Sequence, residues 1–206
     1  MNAPEPRKPP AAPTGRLPLP YVVKGLVADG LMAEADGERV LSVRARETRV
    51  HPLTLLAEMN LRSPTPAREL LDLERLTQWL AHKAGLPYQH IDPLRVDFAR
   101  VVEVMSASYA TNYSILPIAV GASEIVVATC EPFIDGWQRE IEQISRKRVR
   151  RVVANPLDIE RYTVEFYKLA QSIKSANKSS ERSVVGNFEQ LVELGTKVDA
   201  ENHHVV

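Results

Sequence analysis

Residues 114–130 read SILPIAVGASEIVVATC, and this stretch decides the fold of the half that surrounds it. SILPIAV and EIVVATC are β-branched runs, and Gly121-Ala122-Ser123 between them is turn chemistry, so the stretch predicts a β-hairpin. Upstream, DFARVVEVMSASYAT (97–111) places Val101, Val104, Met105 and Ser108 on one face and predicts a single helix. Before it, YQHI (88–91) predicts a short strand that ends at Asp92-Pro93. Downstream, IDGWQREIEQIS (134–145) is amphipathic through Trp137, Ile141 and Ile144, and RVRRVVA (148–154) alternates as a strand does. Asn155-Pro156 then opens a long helix with Ile159, Tyr162, Phe166, Leu169 and Ile173 in its stripe. The predicted order over 86–175 is βαββαβα, a split βαβ arrangement with one added helix.

Residues 16–85 have a different texture. Val22, Val23, Leu26 and Val27 recur at helical spacing before Gly30, which suits a helix C-terminal cap. A second helix is expected over 33–45, a third through Leu53, Leu55, Leu56 and Met59, and a fourth through Leu73, Leu76, Trp79 and Leu80. RSPTPAR (62–68) reads as a proline-broken loop. VVKGLVADGLM and LTLLAEMNLR, thirty residues apart, suggest an internal repeat in which Gly30 matches Asn60. Both residue types tolerate a left-handed helix end. The fold class is therefore α+β: a pair of helical hairpins followed by a small α/β domain.

Seven of the fifteen prolines lie within residues 4–20, so residues 1–15 are expected to be a disordered leader. From 176 the chain is polar and Ser-rich, which suggests a linker before Phe188, Leu191, Val192 and Leu194 return to helical spacing. Lys+Arg and Asp+Glu both total 26, so nothing in the charge calls for nucleic acid. No run approaches the roughly 18 apolar residues of a membrane span. One cysteine, Cys130, fits a reducing compartment, and the cytoplasm is the expected location.

LAHKAGLPYQHIDP, SYATNYSILPIAV, EIVVATCEPF and RVRRVVANPLDIERYTVEFY stand in the order found in the N-terminal domains of type II secretion and type IV pilus assembly ATPases, and residues 75–170 resemble that family. The resemblance implies a small α/β domain that docks a hexameric ATPase onto an inner-membrane platform protein. It also implies that residues 176–206 lead into an ATPase part missing here. ATP and magnesium are expected only in that part, because these 206 residues hold no G-x-x-x-x-G-K-[ST] loop. Some relatives bind cyclic di-GMP on helical repeats that open Arg-Leu-Gly. Here those positions hold Tyr21-Val22-Val23 and His51-Pro52-Leu53, so a nucleotide site is expected to be degraded, with cyclic di-GMP regulation kept as the alternative function.

No catalytic, cofactor or metal site is expected in these residues. His51, His82 and His90 are scattered, and no base lies near Cys130 in sequence. Glu131 and Asp135 read as turn and helix entry rather than an acid pair. The candidate partner-binding residues are Arg146, Arg148, Arg150, Arg151 and Tyr167. For the arginines two readings stand: a solvated edge strand, or a docking face for an acidic partner or lipid headgroups. Tyr167, one position off the helix stripe, is either core or an exposed anchor.

Overall fold

A computed structural model describes residues 11–43, 50–64 and 69–175. The expectations for residues 1–10, for the end of the second helix at 44–45, for 65–68 and for 176–206 fall outside the described residues.

Four helices form the first half: α1 (Leu19–Ala28), α2 (Glu34–Val43), α3 (Pro52–Glu58) and α4 (Leu73–Ala84). Proline in the first turn of α1 and of α3 costs no helical hydrogen bond, because the first N–H groups have no partner there. Gly30 leaves α1 at φ +70°, and the Leu31 N–H returns to the Leu26 carbonyl at 2.9 Å. Asn60 leaves α3 at φ +53°. The two positions thirty residues apart thus make the same left-handed exit, which gives the repeat a physical basis. α1 packs on α2, α3 on α4, and α1 on α3. Val23, Leu26, Leu53, Leu56, Leu76 and Leu80 meet in one buried cluster.

Two glycines set how closely these helices approach. A Cβ on Gly37 of α2 would lie 3.0 Å from a Val23 methyl of α1, and one on Gly25 would lie 2.6 Å from Cζ2 of Trp79 on α4. The Trp79 ring is fixed from its other side, since Nε1 donates to Asp29 Oδ2 at 2.7 Å and Lys83 pairs with the same carboxylate. Gly25→Ala gains up to about 1 kcal/mol of helix propensity. Overpacking against a tethered ring costs about 1–3 kcal/mol. We expect a net loss of about 1–2 kcal/mol in urea unfolding; a gain would show that the ring moves aside freely.

The second half is built on a three-stranded sheet in the order β1 (Ile115–Val120), β2 (Glu124–Thr129), β3 (Arg148–Val153). β1 and β2 are antiparallel, the hairpin predicted, and β2 and β3 are parallel and joined through α7 (Gly136–Ser145). These two strands are direct neighbours, so the crossover is an unsplit βαβ unit. Alternation along the strands supplies two cores. Ile115, Ile125, Val127 and Val149 face Trp137 and Ile141 of α7, together with Tyr109 and Tyr113 of α6 (Ala107–Tyr113). Leu116, Val126, Ala128 and Val152 face Val101 of α5 (Phe98–Val104) and Tyr162 and Phe166 of a last helix, α8, over 156–175.

Three details differ from expectation. The strand at YQHI is a single parallel bridge, Tyr88 to Val153, held by Val153 N–H to Pro87 O (2.8 Å) and Gln89 N–H to Val153 O (2.9 Å). Pro87 has no N–H to extend it, and Asp92 turns the chain into a short 3₁₀ helix at Pro93–Arg95. The helix expected over 97–111 is two helices. Met105 is extended at φ −155°, and Ser106 caps α6 by accepting the Tyr109 N–H at 3.2 Å. The buried row of α8 runs Ile159, Tyr162, Thr163, Phe166, Ala170, which leaves Leu169 and Ile173 half exposed.

Candidate docking surface

β3 distributes its arginines by strand alternation. Arg148 and Arg150 share the face of Val152, while Arg151 lies on the opposite face with Val149 and Val153. Arg148 is exposed, and Arg150 pairs with Glu124 at 3.2 Å on the neighbouring strand. Arg151 is half-buried and donates from Nη1 to the Pro132 carbonyl at 3.1 Å, which ties β3 to the loop after β2. Arg146 stands apart from the strand as the C-cap of α7 at φ +56°, a position that usually calls for glycine. The five candidate residues are therefore not one surface.

Tyr167 faces inward. Its hydroxyl donates to the Met105 carbonyl at 2.7 Å, the group freed by the break between α5 and α6. Burial raises its pKa to about 12. Tyr167→Phe leaves that carbonyl without its partner and is expected to lower stability by about 1 kcal/mol in urea unfolding. An unchanged midpoint would mean that water takes over the bond.

The outer edge of β3 is closed by side chains of α7. Glu142 accepts the Val149 N–H at 2.9 Å, and Gln138 donates to the Val149 carbonyl at 3.3 Å, so the pair stands in for a missing strand. The Val149 N–H, with Gln138, holds the Glu142 carboxyl below the usual range.

A second cluster, absent from the sequence reading as a unit, joins the two halves. His51 caps α3: its Nδ1 accepts the Leu53 N–H at 3.3 Å, which puts the ring proton on Nε2, and this donates to the Cys130 carbonyl at 3.1 Å. Glu131, 7% exposed, accepts the Leu17 N–H at 2.6 Å just ahead of α1. The end of β2 thus holds the start of both helical repeats. Burial lowers the His51 pKa to about 4, and burial raises that of Glu131 against the opposing pull of the Leu17 N–H and exposed Arg16. Nε2 also lies 3.9 Å from Glu131 Oε1, but with the imidazole neutral this contact is not an ion pair at pH 7. The histidine meets Cys130 at its backbone, not its sulfur. The thiol is buried, with its pKa pushed up by burial and by adjacent Glu131, which is the reverse of an activated nucleophile. Tyr21 packs edge-on against Phe133 at 5.5 Å across the same seam.

The α/β unit is a three-stranded sheet with helices on both faces, joined to a helical repeat. Residues 84–173 match the MshEN domain family. Over 193 residues the chain is 30% identical to the type IV pilus assembly ATPase TfpB of Acinetobacter baylyi, a match that takes in 90% of this chain. The chain spans 33% of the length of that relative. Among solved structures it is similar to MshE with cdg (TM-score 0.47, 20% identity, 74% of this chain and 100% of that one). It is also similar to the N-terminal domain of XpsE (TM-score 0.42, 15% identity, 69% of this chain and 90% of that one). The resemblance to the N-terminal region of secretion and pilus ATPases holds. No helix among the described residues is long and apolar enough to cross a membrane.

Proposed function

We propose that this chain is a non-catalytic recruitment region that docks a secretion or pilus ATPase, hexameric as its family implies, onto the cytoplasmic part of an inner-membrane platform protein. The match of residues 84–173 to the MshEN domain, within a 193-residue likeness to a pilus assembly ATPase, carries this reading. On it, the chain works in the cytoplasm, peripheral to the membrane through its partner, and ATP and magnesium belong to a motor elsewhere in the parent protein. Co-purification of the 206-residue chain with the soluble cytoplasmic domain of the platform protein from the same genome tests it. Retention at micromolar concentrations is expected, and its absence sinks the reading.

Cyclic di-GMP regulation is the weaker alternative. Of the residues at the Arg-Leu-Gly positions, Val22, Val23 and Leu53 are core side chains and His51 is bonded across the seam, so they offer no guanidinium to a guanine or phosphate. Calorimetry with cyclic di-GMP is expected to show no micromolar binding.

A further inference from the structure

The corner where α7 passes into β3 is built differently from the rest of the surface. Ser145 donates to the Ile141 carbonyl at 2.6 Å and accepts the Lys147 N–H at 3.3 Å. The Arg146 N–H closes on the Glu142 carbonyl at 2.9 Å, and Lys147 Nζ reaches across to the Gly121 carbonyl at 2.7 Å. These bonds hold the corner rigid and turn Ile144, Arg146 and Arg148 outward. Ile144 is 82% exposed in the last turn of α7, although sequence periodicity places it on the apolar face.

The neighbouring acids are engaged elsewhere. Glu142 accepts the Val149 N–H, Glu140 accepts the Tyr109 hydroxyl, and Glu124 pairs with Arg150. Among the described residues none forms an ion pair with Arg146 or Arg148. Arg146 also keeps a left-handed backbone that glycine would adopt without strain. An exposed apolar side chain followed by two exposed, unneutralised guanidinium forks, on a backbone fixed in advance, is the make-up of an interface anchor.

Resting on the docking reading above, we infer that Ile144, Arg146 and Arg148 form the docking corner, and that its partner is an acidic protein segment carrying carboxylates beside an apolar residue. Guanidinium forks match carboxylates two bonds at a time. A membrane is the poorer fit. Two basic residues and one isoleucine on anionic lipid add up to no better than millimolar affinity.

The test is an NMR titration of the ¹⁵N-labelled 206-residue chain with a synthetic Glu/Leu amphipathic helical peptide. Parallel titrations use the same peptide with Leu replaced by Ser, and vesicles containing phosphatidylglycerol. Shifts confined to the amides of 141–150 are expected with the Glu/Leu peptide. Ile144→Ser and Arg148→Glu should each weaken it about tenfold. Arg146→Gly should weaken binding while holding or raising the melting temperature, because it relieves the left-handed cap. Shifts that map elsewhere, equal binding by the Ser peptide, or vesicle binding through the corner without peptide binding each overturn the inference. Platform-domain capture separates the two readings. Capture that all three variants leave unchanged removes the corner but keeps docking; peptide binding at the corner without any capture removes docking but keeps the corner.

Discussion

Trp137→Ala is expected to lower the stability of the chain by about 4 kcal/mol, the largest loss from any single side chain described here. Trp137 is fully buried in the first turn of α7 and fills the space between that helix and Ile115, Ile125, Val127 and Val149 of the sheet. Truncation removes the apolar area and leaves a hole that the flanking strands, held by their ladders, collapse into only in part. Trp137→Phe should cost far less. The indole N–H is buried with no hydrogen-bond partner among the described residues, and an unsatisfied donor of this kind carries a penalty of about 1–3 kcal/mol that phenylalanine removes. Urea unfolding at constant m-value reads both changes. Equal losses for the two variants would mean that the indole nitrogen has a partner worth keeping.

The second large effect is acid sensitivity at the seam. Unfolded, His51 takes up a proton near its ordinary 6.5; folded, only near 4. As pH falls through that window the unfolded chain binds more protons than the native one, so stability falls by about 3 kcal/mol in all. Glu131 works in the opposite sense. Its folded pKa lies above the ordinary 4.5, so just above 4.5 the native state gains protons first and recovers some stability. The stability of the parent chain should therefore decline from pH 6.5 and flatten toward pH 4.5. Replacing His51 with Gln should abolish the decline, and Glu131→Gln should steepen it. A His51→Gln chain with the parental pH profile would place the titrating group elsewhere. Protonation also removes the Nδ1 acceptor of the Leu53 N–H, so acid uncaps α3 and weakens the seam at one residue.

How much of this was legible in the sequence follows from how local each interaction is. The β1–β2 hairpin and the paired exits at Gly30 and Asn60 depend on neighbouring residues, and sequence spacing shows them directly. The break at Met105 does not, because the hydroxyl that takes the freed carbonyl comes from Tyr167, 62 positions away. Ser106 followed three residues later by a capped N–H was a signal in the sequence, but continuous apolar spacing outweighed it. Likewise the His51–Cys130 bond spans 79 positions and the Leu17–Glu131 bond 114, and no periodicity records either. The arginines were visible as a charge run, but their division into an exposed pair, a tether at Pro132 and a strained cap needed the strand register.

Val153 closes β3, yet it is buried among the side chains of the helical half, with Leu86, Tyr88 and Phe133 packed against the same cluster. The stretch that matches the MshEN family and the stretch that folds as a unit then have different borders. Cutting the chain near residue 84 would strip these four side chains of their cover and strand apolar surface in water. Heat should accordingly melt helices and sheet together, in one cooperative transition.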